Sequence, residues 1–202
     1  MAEDLQSVKN DVAFLRSLAS EEGNSLSRQG ATLLTVGAIF SCVDVFYWAD
    51  SARYLRISGL LEHVPWIAGS LLFLICLIFI NAKIPRSTGA AARAISAASA
   101  GVGFGISAAV PALVVGAMAL RQPLLVTSIF PVVLLTLNGA VWMVAYAVKR
   151  HAWFVTTAIG CLVATIVCGF VMGRPEEWLV LAAAMILLVA APGAVLLYQR
   201  KD

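Results

Sequence analysis

Hydrophobic and polar positions follow two successive patterns along this chain. From Asp4 to Glu22 apolar residues recur three and four apart, at Leu5, Val8, Val12, Leu15 and Ala19, with Phe14 and Leu18 widening the stripe. That spacing is one face of an α-helix, and Gly23 is its expected stop. From Ala31 the one-sided pattern gives way to six nearly continuous apolar runs: Ala31 to Ala49, Val64 to Ala82, Ala94 to Leu120, Leu124 to Val148, Trp153 to Met172 and Trp178 to Tyr198. Each comes close to or exceeds the roughly 20 helical residues that cross a bilayer core. The predicted fold class is therefore all-α: a six-helix transmembrane bundle over residues 31–202, preceded by a cytoplasmic amphipathic helix and linker over residues 1–30.

The third run is long but poor in bulky side chains. Ala97, Gly101, Gly105 and Ala109 fall every fourth residue, which puts four small residues on one helix face. Small residues let backbones approach closely in lipid, where no hydrophobic effect drives helices together. This spacing predicts a packing face and places the third helix in the middle of the bundle.

Composition agrees with the pattern. Apolar residues make up 61% of the 202-residue chain and charged residues 12%, about half the charged share of ordinary soluble domains. The runs leave too little chain for a separate folded domain. A polar start with five acidic residues before position 30 is unlike a cleaved signal peptide, so the first span is expected to be retained. Cys42, Cys76, Cys161 and Cys168 all lie in apolar runs without CxxC spacing and read as small buried residues.

Charge placement gives an orientation. Lys9, Arg16, Arg28, Lys83, Arg86, Arg93, Lys149, Arg150, Arg200 and Lys201 fall on one side, against Arg53, Arg56, Arg121 and Arg174 on the other. The positive-inside rule puts both termini in the cytoplasm. Short loops and a retained first span suit a bacterial inner membrane.

The amphipathic segment carries two basic residues between Asp4 and Glu22, whereas Glu3, Asp4, Asp11, Glu21 and Glu22 are acidic. Interfacial helices are normally rich in Lys and Arg because the cytoplasmic leaflet is anionic. A protein surface is the better partner for Leu5, Val8, Val12, Leu15 and Leu18: the chain's own loops, a second copy or another protein.

The first span holds Asp44, the single acidic residue within the six runs, on a face shared with Gly37, Ser41 and Trp48. Acidic groups at membrane depth mark ion or proton pathways, or reach outward to the interface; here Arg53 and Arg56 are within sequence reach for the second role. Pro111, Pro131 and Pro192 each remove a backbone donor and free the carbonyl four residues earlier, at Ser107, Thr127 and Leu188. Asp44, Pro111 and Pro131 fall at similar depth on regular helices, near the hydroxyls of Ser41, Ser107, Thr127 and Ser128. Broken helices with freed carbonyls form the sites of several transporters, so Asp44, Ser41, Ser107, Pro111, Thr127 and Pro131 form the candidate ligand or ion site.

Asn138 and the stripe Thr157, Cys161, Thr165 and Cys168 read as interhelical hydrogen-bonding groups. LLTVGAIF at Leu33 to Phe40 faintly echoes LLTLNGAVW at Leu134 to Trp142, as inverted repeats would. His63 and His151 fall on opposite sides in this topology, and HExxH, P-loop, GxSxG and dinucleotide fingerprints are missing from the sequence. GVGFG at Gly101 to Gly105 lies inside a span and reads as packing. The expectation is a chain that is not an enzyme, needs no metal or cofactor and binds no nucleic acid, its basic residues being scattered. Two functions remain: an interaction or regulatory membrane protein that docks a partner or second copy through its N-terminal helix, and a small-solute or ion transporter or channel built on Asp44.

Overall fold

The computed structural model describes the backbone of residues 2–55, 57, 59–84, 90–121 and 124–198, and their side chains apart from those of 2–26, 60, 90–92, 124, 125 and 127. The chain is 91% helical and has no strand among the described residues. Its elements are α1 (Ala2–Ser51), a 3-10 turn (Gly59–His63), α2 (Val64–Lys83), α3 (Ala90–Leu120), α4 (Leu124–Lys149), α5 (Ala152–Phe170), α6 (Glu176–Ala184), a π-helical segment (Met185–Ala190) and α7 (Ala191–Tyr198). Six helices are long and apolar enough to cross a membrane, the last formed by α6, the π segment and α7 together. The boundaries fall within a few residues of the six apolar runs.

The helix stop expected at Gly23 is absent: α1 runs for 50 residues from Ala2 to Ser51. An interior glycine costs a helix about 1 kcal/mol against alanine, and helical turns continuing on both sides outweigh it. The residues beginning at Ser27 form the first apolar span. The side chains of Leu5, Val8, Val12, Leu15 and Leu18 lie outside the described residues.

The last span holds the middle of the bundle. Half of its apolar window is buried, against 6% in α2 and 6% in α3. It packs along α1, and three glycines make that crossing tight. A Cβ at Gly37 would lie 2.6 Å from the Ala190 nitrogen, one at Gly30 2.7 Å from the Gly193 carbonyl oxygen, and one at Gly193 2.5 Å from the Leu34 nitrogen. Backbone therefore packs on backbone, as small residues permit. Pro192 lies two residues past the π segment. The wider π turn eases the clash between the proline ring and the carbonyl four residues earlier, at Leu188.

The small-residue stripe of α3 does something different. The helix packs chiefly on α4, with a minor approach to α1, and so lies at the edge of the bundle. Ala97 and Gly101 are exposed and Ala109 is half-buried. A Cβ at Gly101 would meet nothing within 4 Å, and one at Gly105 would touch Leu137 at 3.5 Å. The expectation of a central third helix is thus corrected: small side chains also bury little area, so α3 is not drawn inward, while the bulkier α6 fills the centre with Leu181 and, beyond it, Met185 and Val189.

Two hydrophobic clusters stack along the bundle. One gathers Leu135, Cys168, Leu181, Ala184, Met185 and Val189, with Val36 and Phe40 of α1 against it. The other gathers Ile95, Trp142, Phe154, Ala158 and Leu196. Outward, α2 exposes Ile67, Leu71, Leu74, Ile75, Ile78 and Phe79, an apolar surface of the kind normally covered by lipid or protein.

Candidate ion site at the Tyr47 end of the bundle

Alternation of six spans brings the end of α1, the end of α5 and the start of α6 to the same end of the bundle. The ends of α1 and α6 are pinned together there. The Tyr47 ring stacks on Trp178 with centroids 5.1 Å apart and planes inclined by 29°. The Tyr47 hydroxyl donates to the Glu62 carbonyl oxygen at 2.7 Å, tying the 3-10 turn to the same place. Asp50 accepts the Ile57 N–H at 3.1 Å and shapes the loop beyond α1.

Asp44 sits one helical turn before Tyr47, and the turn that carries the stack also carries it inward. It is 2% exposed, and its Oδ2 has no hydrogen-bond partner. Asp44 is buried rather than turned to the surface, and Arg53, one of its two expected partners, is exposed; the other, Arg56, lies outside the described residues. An ionised carboxylate taken out of water costs several kcal/mol unless something neutralises it. A proton or a cation would serve.

A second carboxyl lies at the same end. Glu177, in the first turn of the last span, is 4% exposed. Its Oε2 accepts the Gly173 N–H at 2.7 Å, and its Oε1 has no partner. Gly173 holds φ +76°, a left-handed conformation that glycine adopts freely, and its N–H donates forward to the first turn of α6. Cys168 of α5, wholly buried, packs in the cluster of Leu181 and Met185, with Trp178 against it.

The other predicted site residues divide. Ser41 is buried and donates to the Ala38 carbonyl oxygen at 2.9 Å. Pro131 and Ser128 are buried on α4. Ser107 and Pro111 are exposed on α3, where Ser107 donates to the Gly103 carbonyl oxygen at 2.9 Å. Thr127 lies outside the described residues as a side chain. Equal depth along the helices therefore does not bring Pro111 beside Asp44, because α3 stands at the edge. One turn below Asp44, Phe40, Trp66 and Phe130 join α1, α2 and α4, with centroids 5.4 Å and 5.7 Å apart.

Elsewhere, Asn138 donates to Cys161 Sγ at 3.5 Å and links α4 to α5. Thr157 and Thr165 instead donate to carbonyls of their own helix, at Trp153 and Cys161. The cysteines are free; Cys161 and Cys168 are buried, but Cys42 is exposed. Among the described residues no three His, Cys, Asp or Glu side chains converge as a metal site.

Glu177 and Cys168 are missing from the site drawn from the sequence, which began the last span at Trp178. A usable signal is present: Glu177, Leu181, Ala184 and Met185 are spaced four, three and one apart, so the acid shares the face that proves buried. Comparison with family models, curated proteins and solved structures finds no match.

Proposed function

We propose that this chain is a multi-pass membrane protein that carries a small ion across the bilayer, with Asp44 at the centre of its site. The observation that carries this reading is a fully buried carboxylate whose Oδ2 lacks a partner, inside one of six helices apolar enough to span a membrane. Ionisable side chains within membrane spans are rare and mark ion and proton pathways, and a buried polar atom without a partner calls for an explanation. The charge bias puts both termini in the cytoplasm and the Tyr47 end outside, and a bacterial inner membrane suits the short loops.

The test uses the full chain reconstituted in liposomes under imposed proton, sodium and potassium gradients. Asp44→Asn is expected to abolish a flux that the parent supports, while the variant still elutes as folded protein. Equal flux in parent and variant would remove Asp44 from any transport role.

A second reading rests on the length of α1. Some 25 residues of continuous helix precede the span at Ser27, a rod of about 37 Å, and its apolar stripe suits docking to a protein partner or a second copy. Deleting Met1 to Glu22 should then leave the bundle folded and abolish its associations. Complexes that survive the deletion would rule this role out.

A further inference from the structure

We propose that the groove between the end of α3 and the start of α4 binds one anionic phospholipid, whose phosphate rests on Arg121 and whose acyl chain fills the groove beneath it. This inference stands apart from the ion-carrying reading and uses none of its residues.

A cavity of about 310 Å³ opens there, lined by Val114, Ala117, Met118, Arg121 and Val126. That volume falls at the lower end of the roughly 300–1,000 Å³ of small-molecule sites. Arg121 is exposed and directly follows the apolar span that ends at Leu120, which sets its guanidinium at headgroup level. Val114 lies two helical turns, about 10 Å, further into the hydrocarbon. The lining thus has the polarity profile of a lipid, with one cation at the water boundary and aliphatic walls below it.

Charge selects the headgroup. The sequence carries no aspartate or glutamate between Glu62 and Glu176, so α2, α3, α4 and α5 are all free of acid. The α3 helix packs chiefly on α4, and among the described residues no hydrogen bond or ion pair engages the Arg121 guanidinium. Neither α3 nor its neighbour supplies a counter-charge. A phosphodiester does, because a guanidinium fork matches two phosphate oxygens. A zwitterionic headgroup would bring an ammonium as well, with no carboxylate on α3 or α4 to receive it. A second copy of the chain fits less well: a two-fold axis along the membrane normal would set a second Arg121 at the same depth, two like charges with no acid between them.

The test is photo-cross-linking of the full chain in lipid with phosphatidylglycerol that carries a diazirine in its acyl chain, the labelled residues being read by peptide mass spectrometry. Label is expected on Val114, Met118 and Val126, and unlabelled phosphatidylglycerol should compete for it about fivefold better than phosphatidylcholine of the same chains, the preference that one basic residue near a headgroup provides. Leu71 and Ile78 on the exposed face of α2 should label without any preference, and their labelling shows that each variant is folded in the bilayer. Arg121→Gln should remove the preference in the groove, and Arg121→Lys, which keeps the charge, should retain part of it. A preference that survives Arg121→Gln would overturn the phosphate contact. Equal competition by the two lipids in the parent would overturn the anionic headgroup. Loss of label to excess glycerol 3-phosphate would assign the site to soluble phosphate esters and overturn the lipid. A groove labelled less than α2 would mean that protein covers it, a second copy included, and would overturn the site.

Discussion

Tyr47 of α1 and Trp178 of α6 stack with centroids 5.1 Å apart, and this contact closes the end of the bundle over Asp44 and Cys168. An aromatic pair is worth about 0.5–1.5 kcal/mol beyond the area it buries. At about 1.4 kcal/mol per factor of ten, its loss should make local opening roughly tenfold more frequent. In a chain carrying Cys42→Ser and Cys76→Ser, Trp178→Ala is therefore expected to raise the rate of maleimide labelling at Cys168 by about that factor. Cys161, equally buried but in the other cluster, should stay unlabelled, and peptide mass spectrometry separates the two. Labelling of both at equal rate would mean that the whole bundle loosened.

Asp44 is expected to hold back stability. A buried polar atom with no partner carries a penalty of about 1–3 kcal/mol, and sites retained for function commonly cost a fold some stability. Asp44→Asn keeps buried polar atoms and so most of that penalty, whereas Asp44→Leu, of similar size, removes it. The unfolding free energy of Asp44→Leu in detergent should equal or exceed that of the parent, by up to about 3 kcal/mol, while ion flux is lost. A variant that unfolds earlier would show the carboxyl to be a structural partner.

The glycine contacts separate two kinds of small residue. Gly37→Ala and Gly193→Ala each place a Cβ 2.5 to 2.6 Å from backbone nitrogen, at Ala190 and Leu34. Overpacking of this kind costs about 1–3 kcal/mol, and backbone has less room to yield than a side chain. Gly101→Ala on α3 meets nothing within 4 Å and should gain up to about 1 kcal/mol from helix propensity. Thermal unfolding of the three variants in one detergent checks the order.

These same residues show what was legible in the sequence. Helix number and span limits follow from unbroken apolar runs, because hydrophobic length alone decides them. Which helix lies in the middle does not, because it depends on contacts between runs that are all apolar. The four-residue spacing of Ala97, Gly101, Gly105 and Ala109 announces close packing, yet the close crossing uses Gly30, Gly37 and Gly193, split between two distant segments. Asp44 was legible because an acid within an apolar run stands out. Glu177 was not, since two glutamates at a helix start ordinarily serve the helix dipole, and the burial of one comes only from its neighbours in three dimensions.

Arg121 and Arg150 follow the ends of α3 and α4 with φ of 55° and 58°, in the left-handed region that glycine favours. Arg150 closes its helix by donating its N–H to the Tyr146 carbonyl oxygen at 2.7 Å, the usual bond of a left-handed helix cap. The backbone would be better served by glycine at both places, by about 1 kcal/mol each. The charge pattern separates them: Arg150 belongs to the side with ten basic residues and Arg121 to the side with four. Arg121→Gly is therefore expected to raise the unfolding midpoint and sharpen the charge bias, without changing the topology that reporter fusions read in the parent. Arg150→Gly should bring the same backbone relief but weaken the bias between α4 and α5. A gain in stability at Arg121 without one at Arg150 would mean that the Arg150 side chain holds its loop, through contacts that outweigh the backbone preference.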